Sequence, residues 1–375
     1  MQLSSKERIM RLFRNQEVDR PALKLWGASP DQTLLHPHYG PVRDLAAEIS
    51  DLFVCALSPF NVYCGRYADS HISYYLEDTA QETWKDQHCI YHTPEGDLHG
   101  VERISTVGEP SYTLEYPVKE PEDLRRIMTL PYEAYPFDTT DFARRQAQLG
   151  ERGVVMLAID HAGHALQRLI GSENLAIFSI DCRQILEEAL ALFSSRIRDH
   201  VQRALAAGIR APFHWVGPEV FIPPLMAPAD FEDFVYRWDK PLCDDIHEGG
   251  GHVWVHCHGK VANFIERYIQ MGVDILNPLE PPKNGDIALS SVIARYGNRI
   301  GWEGNVEIQD ILQDDADTLR EKIAACVEQG QASGRFILCP SAGYMEYPFP
   351  EKRYIDNLLL YLQYGLECVE KYRKL

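Results

Sequence analysis

The sequence predicts an α/β fold of the closed (β/α)8 kind, a TIM barrel with an N-terminal helix and a β-hairpin insertion after the second strand. Three observations predict it. Eight short apolar runs alternate with stretches of helical periodicity from Ala22 onward. Polar and metal-binding side chains collect at the carboxyl ends of those runs, where a barrel carries its active site. No GxGxxG or GxxxxGK-Ser/Thr loop follows an early strand, as an open doubly wound sheet would usually bring.

The elements follow in order. Ser4 or Ser5 caps a first helix whose apolar positions Ile9, Met10, Leu12 and Phe13 share a side, and Asp19-Arg20-Pro21 stops it. Ala22–Gly27 reads as the first strand, 42–49 as a helix and Asp51–Leu57 as the second strand. Residues 70–118 break the rhythm. Gln87–His92, the turn Pro94-Glu95-Gly96-Asp97 and Gly100–Ser105 read there as a hairpin, followed by proline-rich connections near 117–136. Strands then recur at Val154–Asp160, Ala211–Val216, His252–His258, Ile275–Glu280, Ile300–Glu303 and Arg335–Cys339. Helices are expected at about 162–171, 182–207, 228–247, 261–271, 286–296, 315–329 and 350–372.

This uninterrupted alternation makes residues 1–375 one domain, with a chain long enough for a large core. A formal charge of −18 argues against nucleic acid and against an acidic membrane as partners, because both depend on clustered Lys and Arg. Nine cysteines without a CxxC pair, in odd number, point to a reducing compartment. With neither a signal-peptide core nor a transmembrane run, the expected location is the cytoplasm.

The most informative stretch is Trp254–Lys260. In a strand Trp254, His256 and His258 share one face while Val253, Val255 and Cys257 share the other, so two imidazoles project together and Cys257 belongs to the core. Two such histidines can chelate one zinc ion, and Cys339 from the last strand could close the set. Glu219, Glu280 and Glu303 are candidate fourth ligands or proton handlers. Asp160 beside His161 offers an acid–base pair, with helix capping as its bland alternative. Trp26, His161, His214, Asn305 and Tyr344, the last in an aromatic loop after the final strand, are expected to line a small-molecule site.

Several motifs carry a family resemblance. They are Ser4–Arg8 leading to Asp19-Arg20-Pro21, His256-Cys257-His258-Gly259, Gly272-Val273-Asp274, Pro278–Pro282 with Gly285-Asp286, Tyr296-Gly297, and Gly304–Glu307. In these the chain resembles the uroporphyrinogen decarboxylase superfamily over nearly its whole length, and is most similar to the corrinoid-dependent methyltransferase branch. The resemblance implies a zinc held by a His-x-Cys-Gly segment and a later cysteine, activating a thiol or another methyl carrier. Here His256 matches the family's histidine, His258 stands at its first cysteine position, and the later cysteine would fall near Ala342.

What the resemblance implies is a methyltransferase that moves a methyl group between a small methylated substrate, such as a methoxylated compound, or a thiol, and a corrinoid (cobalamin) carried by a separate protein. No corrinoid-binding motif lies in this chain, and similar barrels form homodimers. The alternatives are a metal-free decarboxylase-type lyase and a non-catalytic ligand-binding barrel. Decarboxylases of the superfamily carry arginine after the first strand, whereas 27–40 holds neither Arg nor Lys.

Overall fold

The computed structural model describes residues 2–30, 32–34, 36–343 and 351–374. Among them twelve strands form two sheets. The strands are β1 (Ala22–Leu23), β2 (Leu52–Ala56), β3 (Ile72–Asp78), β4 (Trp84–Thr93), β5 (Gly96–Ser105), β6 (Tyr112–Glu115), β7 (Gly153–Ala158), β8 (Pro212–Val216), β9 (His252–His256), β10 (Ile275–Leu279), β11 (Gly301–Val306) and β12 (Phe336–Pro340). Eight of them pair side by side in the order β1-β12-β11-β10-β9-β8-β7-β2, all parallel, with helices between successive strands. This is the expected TIM-barrel-like α/β fold.

Asp51 joins the two ends of that sheet. Its N–H donates to Leu23 O at 2.7 Å, and its Oδ2 accepts from Leu23 N–H at 2.9 Å, so one residue satisfies both backbone groups that a longer β1 would pair. The interior confirms closure: Lys24 Nζ lies over the rings of Phe53 on β2 and Trp254 on β9, strands far apart in the sheet order. Beneath them the N-terminal helix Ser5–Phe13, capped by Ser4 Oγ, buries Ile9, Leu12 and Phe13 against inward-facing Phe53, Val154, Met156, Trp254 and Ile337. Val253, Val255 and Cys257 face the other way into the layer under the helices, as the alternation requires.

A buried ionic cluster sits at this closed end. Arg8 bridges Asp19 and Asp51, and Arg20 also reaches Asp51. Burial alone would raise the Asp19 pKa, but Arg8, the Leu3 N–H and Arg373 bring it down to about 2. Asp274, held by His247, His252 and the Val253 N–H, likewise falls to about 2 against the cost of its burial. A depressed folded-state pKa adds stability that is complete above the unfolded value near 3.8 and vanishes as pH falls through the folded one. Each carboxylate is therefore expected to contribute about 2 kcal/mol at neutral pH. Urea midpoints should hold steady down to about pH 4–5 and collapse between about pH 4 and 2; midpoints unchanged across that lower interval would refute the assignment.

The structure differs from the sequence reading in four places. The first strand is two residues long, because the chain turns away toward Gly27 (φ 86°) once Lys24 N–H has donated to Leu338 O. The β9 strand ends at His256, so His258 stands on the loop that follows. The insertion is larger than one hairpin: β4–β5 is the expected hairpin, but β3 and β6 flank it in a four-stranded antiparallel sheet. Tyr74, Tyr75, Leu76, Tyr112 and Leu114 on those flanking strands are exposed, so no one-sided alternation marks them. Finally, part of the proline-rich stretch is the helix Pro121–Met128, where Pro121 occupies the first turn and Glu120 and Asp123 form a capping box. No helix among the described residues is long and apolar enough to cross a membrane.

Candidate functional site

The mouth of the barrel rests on a buried ion pair. Lys24, the second inward-facing position after Ala22, places Nζ 2.6 Å from Glu303 Oε1 on β11, and both side chains are fully enclosed. The ammonium is also 4.3 Å from the Trp26 ring centre, which supplements the pair with cation–π contact. Glu303 accepts two further bonds, from Trp254 Nε1 at 2.8 Å and from Asn277 Nδ2 at 2.8 Å. Glu303, expected to handle protons, is thus enclosed beneath the mouth with three donors on it.

That arrangement fixes the chemistry above it. An ionised carboxylate only accepts, so the edge of the Asn277 amide facing Glu303 is its NH2 and the carbonyl oxygen faces His256. His256 Nδ1 lies 2.5 Å from that oxygen and must carry the proton. The Nε2 lone pair is left for something else. Burial, reinforced by His258, lowers the His256 pKa to about 4, so the ring is neutral near pH 7.

His258 repeats the arrangement one step outward. Its Nδ1 lies 2.9 Å from Glu280 Oε1, while Gly259 N–H donates to Glu280 Oε2 at 2.6 Å. Burial works to lower the His258 pKa, but Glu280, with Glu219 and Glu307 nearby, holds it raised. The two imidazoles meet edge to face at 4.5 Å, and Trp26 lies nearly parallel to both Trp254 and His256 at 5.0 and 6.1 Å. Trp26, His256, His258 and Glu280 are therefore brought together as the strand ends predicted.

The other expected residues lie elsewhere. Asp160 and His161 do not form an acid–base pair: Asp160 accepts from His164, Arg168 and the His161 backbone N–H, while the His161 ring faces Asp239 at 3.3 Å. Glu219 sits on the turn Pro218–Phe221 with a buried Oε2 that has no partner among the described residues, near enough to His161 and His258 to act on both electrostatically. His214 is buried against Trp26 and Trp254 at the β8 end. Asn305 is occupied structurally, its amide donating to Leu279 O at 2.9 Å. Tyr344 lies outside the described residues. Cys339 is fully buried in the barrel interior near Glu303 and Lys24, where desolvation pushes its thiol pKa far up and disfavours a thiolate.

Sequence reasoning overlooked Lys24, Asn277 and Glu307. A lysine inside an apolar strand was the available signal for Lys24, and Asn277 stood undistinguished between Leu276 and Pro278. Glu307, at the start of the loop after β11, accepts from Ser341 Oγ at 2.8 Å and leaves Oε1 buried without a partner among the described residues. Burial, with Glu280 nearby, raises its pKa.

Zinc meets part of its requirement here. Metal-bound histidines ordinarily commit one nitrogen to a second acceptor, and His256 and His258 both do so, leaving Nε2 for an ion. The set is not completed by Cys339: no group of three His, Cys, Asp or Glu side chains placed to hold a metal ion occurs among the described residues.

With this geometry established, comparison with known proteins places the second half of the chain. Residues 166–351 match the family model described as uroporphyrinogen decarboxylase (URO-D). That segment is similar to the URO-D family. It runs from the helix after β7 through β12 and so includes His214, both site histidines, Glu280, Glu303 and Glu307. None of the curated proteins matches the chain. Among solved structures, a methyltransferase from Methanosarcina mazei aligns over 96% of this chain and 98% of its own, with TM-score 0.61 and 15% identity. At that identity the likeness is one of fold. An L-ribulose 3-epimerase aligns over 67% of this chain and 91% of its own with TM-score 0.39 and 13% identity, too weakly to carry an argument. The URO-D match over this segment agrees with the superfamily resemblance seen in the sequence motifs, and the structural likeness with the barrel fold.

Proposed function

We propose that this chain is a URO-D-like methyltransferase that moves a methyl group between a small methylated substrate, such as a methoxylated compound, or a thiol, and a corrinoid carried by a separate protein. The observation that carries this reading is the His256–His258 pair, two rings whose Nδ1 positions are engaged and whose Nε2 positions are left for a ligand at the barrel mouth. Zinc held on those two nitrogens would polarise a substrate oxygen or lower the pKa of a thiol. Trp26 supplies a flat wall beside the pair, and Glu280 keeps His258 oriented. Glu307, its pKa raised by burial, is the candidate to pass a proton to an oxygen leaving without its methyl group. The Lys24–Glu303–Asn277 chain fixes the tautomer of His256 and takes no part in proton transfer itself.

The test is metal analysis combined with methyl transfer. Purified protein is expected to carry zinc in stoichiometric amount, and His258→Ala is expected to lose it. Supplied with a reduced corrinoid protein, the wild type should methylate cobalt from a panel of methoxylated compounds, methanol and methylamines. A metal-free wild type sinks the zinc assignment. Decarboxylation of a porphyrinogen without any corrinoid partner overturns the methyltransferase reading.

A further inference from the structure

A cavity of about 580 Å³ opens beside the two-histidine mouth, between the β3–β6 sheet and the ends of β7 and β8. Tyr74, Gln87 and Cys89 line it from one face of that sheet, and Phe60 lines it from the loop after β2. The barrel contributes Ile159 and His214. The insertion therefore builds half of a chamber whose other half is the barrel itself.

Three features define what fits. The first is size: the volume falls within the range of pockets for multi-ring or substituted single-ring ligands and greatly exceeds the needs of methanol or a methylamine. The second is uncovered apolar surface. Tyr74 is 59% exposed, and Leu76 on the same face and Leu57 on the loop after β2 are 54% and 69% exposed. A flat ligand lying against Tyr74 would remove such surface from water.

The third feature is polar. His214 is only 8% exposed, and neither of its ring nitrogens has a partner among the described residues. Burial, with Lys24 and His256 adding to it, lowers its pKa to about 3, so it offers one N–H donor and one lone pair. A hydroxyl can use both, and an ether oxygen can meet the donor. The charged lining residues Asp160, His164 and Arg168 are bonded to one another, and Glu102 stands exposed on its strand. No free cation among these lining residues calls for an anionic ligand.

We infer that this cavity is the chamber for an uncharged aromatic ligand bearing a hydroxyl or ether oxygen, with His214 as its hydrogen-bonding contact and Tyr74 as its outer wall. His214 packs edge-on against both Trp26 and Trp254, so such a ligand would border the His256–His258 site. As the identity of the methylated substrate, the inference rests on the methyltransferase reading.

Calorimetric titration of the full chain tests it, with 2-methoxyphenol, methanol and trimethylamine as probes. The wild type is expected to bind 2-methoxyphenol and to show no heat with the other two at equal concentration. Tyr74→Ala, a change on an exposed strand that leaves the fold alone, should weaken binding about tenfold. His214→Phe, which keeps a ring against Trp254, should weaken it by a similar factor of about ten. Failure of 2-methoxyphenol to bind, or equal binding by wild type and Tyr74→Ala, overturns the inference. Methyl transfer from methanol or trimethylamine with no binding of 2-methoxyphenol sinks this chamber and leaves the methyltransferase standing. Tyr74-dependent binding of 2-methoxyphenol with no methyl transfer to a corrinoid protein does the reverse.

Discussion

Lys24→Met is expected to lower the unfolding free energy by about 3–5 kcal/mol, because it leaves the Glu303 carboxylate charged and buried without its cation. Glu303 would retain the Trp254 and Asn277 donors, which compensate only in part for a lost ammonium at 2.6 Å. The double variant Lys24→Met/Glu303→Leu removes both charges and should recover much of that loss. Chemical denaturation of the wild type, the single variants Lys24→Met and Glu303→Leu, and the double variant gives the coupling energy directly. Additive losses, with the double variant the least stable of the set, would show that the pair does not hold the barrel floor. The effect is expected to be large because Lys24 also packs against three aromatic rings, all of which lose their cation together.

Asn277→Leu should cut methyl transfer and zinc affinity by about 10–100-fold while leaving the fold intact. The side chains are similar in size, and the backbone bond from Cys257 N–H to Asn277 O does not depend on the substitution. What changes is His256. Without the Asn277 carbonyl at 2.5 Å, nothing holds the proton on Nδ1, and the tautomer that keeps the Nε2 lone pair available loses its advantage. Nitrogen NMR of the histidine rings reads this separately from turnover: the wild type should show a single Nδ1–H form of His256, and the variant a mixture. An unchanged spectrum in the variant would overturn the orienting role whatever happens to activity.

The legibility of the site divides along physical lines. His256 was readable because strand alternation depends only on local backbone geometry and Trp254 and His256 keep it to the end of β9, while His258, read as part of the strand, stands on the loop just beyond it. Glu280 was readable for the same reason, as the residue closing an apolar run. Asp160 and His161 misled because neighbours in a chain point apart, and each found its partner on another segment: Arg168 for the first and Asp239 for the second. Cys339 has the chemistry of a ligand, but its register on β12 turns it down into the interior, where burial suppresses the thiolate. Within the insertion, the hairpin was visible from its turn residues, while β3 and β6 were hidden because exposed strands carry no one-sided pattern.

The sequence by itself determined the alternation of eight strands with helices, the placement of polar residues at the strand ends and the two imidazoles close together at the end of one strand. Those features follow from periodicity and residue type, which are local. Only the tertiary structure decided which polar groups meet. Lys24 and Glu303 are 279 residues apart in the chain, and closure of the barrel alone brings them to 2.6 Å. Through Asn277 that contact settles which nitrogen of His256 carries its proton, a property no local pattern encodes.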